Sequence, residues 1–139
     1  MIRKDVLLRN AAQALNTAGI EDPRREARLL LGWASGRDFS QLLGMDVVDD
    51  EAEARFEIAL ARRVAREPMA FITGEAGFWT LDLEVSADTL IPRGDSEALI
   101  EALLEVKPDR NSVTSVLDLG TGTGCLLFAA LSEYNAALG

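Results

Sequence analysis

Val116-Leu117-Asp118-Leu119-Gly120-Thr121-Gly122-Thr123-Gly124 decides the architecture of the second half of the chain. Val113 to Leu119 is a short apolar run of strand character, and Leu126 to Tyr134 returns to helical spacing. Strand, glycine-rich loop, helix is the opening of a parallel α/β domain. The glycines allow a tight turn and let the backbone approach a ligand. Amides at the helix start favour a negatively charged group. The spacing excludes two familiar loops. In a Gly-x-Gly-x-x-Gly fingerprint the third glycine falls at Cys125 counting from Gly120, and at Leu127 counting from Gly122. A Walker loop needs a lysine after its last glycine, and none stands there. What remains is Asp-x-Gly-x-Gly-x-Gly at a strand end. Asp118 reads as functional, because a carboxylate ending a buried strand needs a partner.

Working upstream, Lys107-Pro108-Asp109 is a turn, preceded by a helix with Leu99, Leu103 and Leu104 on its buried side and Asp95 or Ser96 as its cap. A loop with Pro92 and Gly94 comes before it. Trp79, Leu81, Leu83 and Val85 alternate with polar residues and predict a strand. Gly74 and Gly77 read as turn residues before it, and Ala70 to Thr73 as its hairpin partner. Phe78 and Trp79 are expected to be packing groups at a domain junction rather than substrate contacts.

Before residue 68 the period is helical. Val6, Leu7, Ala11, Ala14, Leu15 and Ala18 form one stripe, which Gly19 stops. Asp22-Pro23 opens a second helix carrying Ala27, Leu30, Leu31 and Ala34, and Gly36 ends it. Asp38 caps a short helix through Leu43. Asp49 and Asp50 open a fourth, with Phe56, Ala59, Leu60 and Val64 on one face. Its acids lie early and its arginines late, as the helix dipole favours. Glu67-Pro68 breaks it. The first part is a small helical bundle.

The chain has 139 residues, 48% hydrophobic and 27% charged, which fits globular structure and excludes disorder. With one cysteine and no histidine, neither a disulfide framework nor a Ser-His or Cys-His catalytic pair can form. A structural zinc site is disfavoured, and no metal is expected. Cys125 reads as a small buried helix residue, since no base accompanies it. No apolar run reaches the roughly 18 residues of a membrane span, and the N-terminus lacks the core of a signal peptide. A cytoplasmic location without membrane contact is expected. The net charge of −9 disfavours nucleic acid as a partner. It is uneven: residues 1–70 hold 11 basic and 12 acidic side chains, and residues 71–139 hold 3 and 11.

The glycine loop resembles motif I of the class I S-adenosylmethionine-dependent methyltransferases. The resemblance implies that Asp118, Gly120, Thr121, Gly122, Thr123 and Gly124 bind the cofactor, with the loop around its methionine end and the acidic residue at its ammonium group. Upstream, Glu67-Pro68-Met69-Ala70-Phe71-Ile72-Thr73-Gly74 is similar to the EPIAYITG signature of the HemK/PrmC family of protein-(glutamine-N5) methyltransferases. Leu90-Ile91-Pro92-Arg93-Gly94-Asp95-Ser96-Glu97 looks like that family's LIPRPDTE segment, and Asp22-Pro23-Arg24-Arg25-Glu26-Ala27 with Leu29-Leu30-Leu31 like its N-terminal domain. The four stretches keep the family's order and cover the whole chain.

The resemblance implies an α+β chain: a helical substrate-recognition domain over 1–68, a β-hairpin linker over 69–94, and the start of a Rossmann-like methyltransferase domain over 95–139. It implies S-adenosylmethionine as cofactor, peptide-chain release factors as partners, and a pocket lined by Ile91, Pro92 and Arg93. Arg93 is equally readable as a structural ion-pair partner. Gly94 departs from the family's second proline, so the loop is expected to be more flexible. Ser96 replaces threonine and keeps the hydroxyl. The family's Asn-Pro-Pro-Tyr segment, which orients the amide, and the acidic residue holding the ribose both fall beyond position 139. No catalytic residue is therefore named within the chain, which reads as cut off and is expected not to turn over alone. Its unpaired strand is expected to leave residues 107–139 poorly ordered or paired with another copy. Two other readings stay open. One is a truncated, non-catalytic helical binding module; the other is an adenine-N6-type nucleic-acid methyltransferase, against which the acidic second half argues.

Overall fold

In a computed structural model covering residues 1–139, helices of the first half begin at the acidic residues expected to cap them. The elements there are β1 (Ile2–Arg3), α1 (Lys4–Thr17), α2 (Pro23–Ser35), α3 (Phe39–Leu43), β2 (Val47–Val48), α4 (Asp50–Val64) and α5 (Met69–Thr73). The Asp22 carboxylate accepts from the Arg25 amide, and Pro23 opens α2. Asp38 accepts from the Gln41 amide while the Gln41 side chain accepts from the Asp38 amide, a reciprocal cap on α3. Asp49 accepts from the Ala52 amide, which holds its carboxyl below the usual range. At its far end α2 closes on Gly36 at φ 64, a left-handed position that glycine adopts without a Cβ penalty.

The chain forms two compact units, Met1–Thr73 and Gly74–Gly139. The first packs the inner stripes of α1, α2 and α4 around Leu15, Leu30, Leu31 and Phe56, all fully buried. Full burial of such side chains is worth about 1.5–3 kcal/mol each. The short antiparallel ribbon of β1 and β2, Ile2 opposite Val48, adds Val48 to that core. Glu26 of α2 accepts twice from Arg63 of α4, at 2.6 and 3.0 Å, and raises the guanidinium pKa. Arg62 pairs with Glu67, lowering the Glu67 carboxyl.

Met69 to Thr73 corrects the expectation of a hairpin partner: it is a turn of helix, α5. The Pro68 carbonyl accepts from the Phe71 and Ile72 amides, and Ile72 is buried in the first core.

The second unit holds β3 (Glu75–Phe78), β4 (Leu81–Glu84), α6 (Glu97–Val106) and α7 (Cys125–Glu133). The hairpin pairs Glu75 with Glu84 and Phe78 with Leu81. Its turn is therefore at Trp79-Thr80, not at Gly74 or Gly77. Trp79 sits at φ 58, where a bulky residue is strained, and Gly77 lies inside a strand opposite Asp82. A single 3-10 turn, Gly94–Ser96, leads into α6 without the expected side-chain cap from Asp95 or Ser96. The apolar run before the glycine loop is likewise not an extended strand. It makes one parallel bridge, Ser115 to Leu138, through the Val116 amide to the Leu138 carbonyl (2.8 Å) and the Leu138 amide to the Thr114 carbonyl (3.0 Å). The chain taken as a whole is mixed helix with two small antiparallel sheets. The core of this unit is Phe78, Ile100, Ala129 and Ala130, flanked by the half-buried Cys125.

Candidate functional site

The glycine loop is built by three left-handed turns of backbone. Gly120, Gly122 and Gly124 have φ of 72, 58 and 78. The Gly124 amide donates to the Thr121 carbonyl (2.8 Å), closing the turn, and the Gly124 carbonyl accepts from Phe128, starting α7. A Cβ on Gly124 would stand 2.5 Å from the Phe128 ring, so this glycine allows the close approach of loop and helix. Cβ atoms on Gly120 or Gly122 would meet nothing within 4 Å. These two glycines therefore face open space, and only their backbone conformation requires them.

No side chain caps α7. Its first amides, from Cys125 onward, lack carbonyl acceptors within the helix, and the helix dipole makes that end electropositive. Asp118 stands two residues before Gly120. Its carboxylate is half-buried and makes no hydrogen bond or ion pair within the chain. Thr121 is exposed and Thr123 half-buried beside it. An unpaired carboxylate and a set of free amides thus stand at opposite ends of one short loop. Together they present an acceptor for a cation and donors for an anion.

Ile91 and Pro92 are half-buried and Arg93 is exposed. The Arg93 carbonyl accepts from the Ser96 amide (3.0 Å) and closes the 3-10 turn. The Arg93 guanidinium forms no ion pair, and no hydrogen bond joins these three residues to the glycine loop.

A network that sequence reasoning missed braces the second unit. The Trp79 amide donates to Glu97 (2.7 Å) and its indole N–H to Glu133 (2.8 Å), which also accepts from Arg110. The fully buried Tyr134 donates its hydroxyl to the Lys107 carbonyl (2.7 Å), with the Leu103 carbonyl at 3.1 Å, at the end of α6. These contacts hold the strained Trp79 turn and tie α7 to α6. Trp79 and Glu133 are 54 residues apart, so no local spacing announces them. Glu97 alone carried a signal, as the last residue of the Pro-Arg stretch.

No helix is long and apolar enough to cross a membrane. Residues 6–74 match the family model of the PrmC N-terminal domain. The chain is 46% identical over 136 residues to the release factor glutamine methyltransferase of Rhodospirillum rubrum, covering 96% of this chain and 41% of that protein. It is 46% identical over 134 residues to the same-named protein of Cereibacter sphaeroides, covering 95% and 46%. With the Escherichia coli protein of that name the identity is 41% over 128 residues, covering 91% and 45%. The chain therefore spans less than half the length of these curated relatives. The match of residues 6–74, and the identity that continues through the glycine loop, make this chain a member of the HemK/PrmC family.

Proposed function

We propose that this chain serves a release factor glutamine methyltransferase, transferring a methyl group from S-adenosylmethionine to a glutamine side-chain amide of a peptide-chain release factor. The observation that carries the reading is identity of 46% running through 96% of the chain, from the helical bundle into the glycine loop. In this reading residues 1–68 recognise the release factor, residues 69–94 connect, and residues 95–139 begin a Rossmann-like cofactor domain. The parallel bridge between Ser115 and Leu138, on either side of α7, is consistent with such a beginning. A cytoplasmic location follows from a substrate used in translation.

The loop suits the cofactor. The unpaired Asp118 carboxylate matches an ammonium group, and the free amides at the start of α7 match a carboxylate. Gly120 and Gly122 keep side chains out of the space between. When bound, S-adenosylmethionine supplies the activated methyl. The protein's task is to position it, because an amide nitrogen with a delocalised lone pair attacks only when held at near-attack distance and shielded from water. Ile91, Pro92 and Arg93 are proposed to line the pocket. The 139 residues contain no Asn-Pro-Pro-Tyr stretch, so the chain by itself is proposed to bind without turning over.

Calorimetry with S-adenosylmethionine and a radiolabel assay on purified release factor test this. Binding that falls at least tenfold in Asp118→Asn, with no methyl incorporated by the chain alone, is the expected result. Binding unchanged by Asp118→Asn overturns the loop assignment, and methyl transfer by the 139 residues overturns the division of labour. Release-factor binding without any cofactor binding favours a non-catalytic helical module instead.

A further inference from the structure

Three adjoining hollows, of about 560, 460 and 300 Å³, run along one face of the first unit, where α1, α2 and α3 meet. Arg28 lines all three, and Phe39 and Leu42 line two. Five arginines border them: Arg9, Arg24, Arg25, Arg28 and Arg37. All five are exposed, and none of their guanidinium groups makes an ion pair or hydrogen bond within the chain. Every other arginine of this unit is engaged. Arg3 pairs with Asp5, Arg55 with Glu51, Arg62 with Glu67 and Arg63 with Glu26, while Arg66 donates to the Ala18 carbonyl. The unpaired arginines of the bundle are thus gathered on one face. The one carboxylate lining the hollows, Asp38, is taken by the Gln41 amide.

The floor between these cations is apolar and open to solvent. Leu29, Trp33, Phe39 and Leu43 are 48%, 41%, 60% and 67% exposed. On α2, Arg25, Arg28, Leu29, Gly32 and Trp33 follow helical spacing, so α2 has a second stripe beside the one it buries. A patch of aromatic, leucine and arginine side chains has the composition of an interface centre rather than of ordinary surface.

We propose that this groove docks an acidic amphipathic segment of a protein partner. Its apolar side chains lie on Trp33, Phe39 and Leu43, and its carboxylates pair with the five free arginines. Charge complementarity selects the occupant. Arginine forks bind carboxylates two-point, and all five are unspent. A nucleic acid fits less well: Trp33 and Phe39 offer stacking faces but Leu29 and Leu43 do not, and the chain's net charge of −9, most of it in residues 71–139, disfavours a polyanion. The proposal rests on the reading above only in taking the partner to be a protein.

Fluorescence anisotropy on the full 139-residue chain tests it with four probes. They are a helical peptide with leucine and phenylalanine at i, i+3, i+4 and i+7 and glutamate elsewhere, the same peptide with lysine for glutamate, a glutamate–alanine peptide without the apolar residues, and oligo-uridine RNA. The expected result is salt-dependent binding of the first alone, at least tenfold tighter than the others. Arg24→Glu with Arg28→Glu should weaken it at least tenfold. Phe39→Ala should weaken it about threefold or more while leaving the salt dependence in place. Both arginines are exposed and unpaired, and unchanged circular dichroism and melting of the variant confirm its fold. Failure of the acidic amphipathic peptide to bind, indifference to the arginine reversals, or tighter binding of RNA each overturns the proposal.

Purified release factor in the same assay separates the two readings. Binding lost in the arginine variant supports both. Binding that the variant keeps in full overturns the groove as the docking surface and leaves the proposed substrate standing. No binding to the unaltered chain, with the acidic peptide still held at the groove, overturns the release factor as substrate and leaves the groove standing.

Discussion

The two units differ in how far the segments read as core-forming are covered. In Met1–Thr73 the large core side chains are sealed, with Phe56, Leu30 and Leu31 at 0% exposure. In Gly74–Gly139 the run before the glycine loop is bare, with Leu117 84% and Leu119 85% exposed. In the first unit α1, α2 and α4 each carry a stripe of aliphatic, alanine or phenylalanine side chains that the other two cover, so the three close around one another. Residues 113–119 put Val113, Leu117 and Leu119 on one side and Val116 on the other, side chains that only neighbouring strands or helices can cover, and one bridge supplies little of that cover. The lesson is that amphipathic helices complete a core locally, whereas a strand of this kind depends on neighbours.

The contrast is most easily broken at Phe56. Phe56→Ala leaves a cavity among α1, α2 and α4 and should cost about 3–5 kcal/mol by urea unfolding followed at the helical signal. A cost below about 1 kcal/mol would mean that the first core is not closed. Tyr134→Phe should cost about 1–3 kcal/mol, because the Lys107 and Leu103 carbonyls lose their donor. Faster amide exchange confined to α6 and α7 is the reading that identifies this cause.

Glu26→Gln weakens the tie between α2 and α4. The pair is mostly buried, at 18% and 17% exposure, and the expected cost is about 1–2 kcal/mol, short of a fully buried pair. Equal stability of Glu26→Gln and the unaltered chain in a thermal melt would rule the tie out.

A smaller effect concerns pH. The Asp49 carboxyl is lowered by the Ala52 amide, and the Glu67 carboxyl by Arg62. A lowered carboxyl stabilises the folded state fully above its ordinary value, 3.8 for Asp49 and 4.5 for Glu67. That stability is lost as pH falls through the lower folded value. Melting temperature should therefore drop between about pH 5 and about pH 3, and drop less in Asp49→Asn with Glu67→Gln. The smallest effect belongs to the bare run. Leu117→Ser with Leu119→Ser should change stability by less than about 0.5 kcal/mol and reduce any self-association seen by sedimentation. A loss above about 2 kcal/mol would show that these leucines are covered in solution.

Legibility followed locality. The caps Asp22, Asp38 and Asp49, the stop at Gly36 and the buried stripe of α2 depend on residues within one or two turns, and spacing alone reveals them. The turn at Trp79-Thr80 is hidden, because neither residue is a turn former. It persists through Glu97 and Glu133, which are distant in sequence. The same holds for α5, whose five residues become helical after Pro68 and place Ile72 in a core built by the other helices. At the candidate site, glycine spacing was enough to mark the loop and the start of α7. The openness at Gly120 and Gly122 and the contact between Gly124 and Phe128 are set by how the loop folds back on α7, which spacing does not specify.

By itself, then, the sequence determined the helical bundle, the change of period after residue 68, and a glycine loop opening a helix. Those features rest on interactions between residues a few positions apart. The tertiary structure alone decided where the hairpin turns, what holds Trp79 and Tyr134, and which arginines of the bundle remain unpaired. The physical reason is that pairing and burial depend on which segments meet, and an arginine reads the same in sequence whether or not a carboxylate from another helix reaches it.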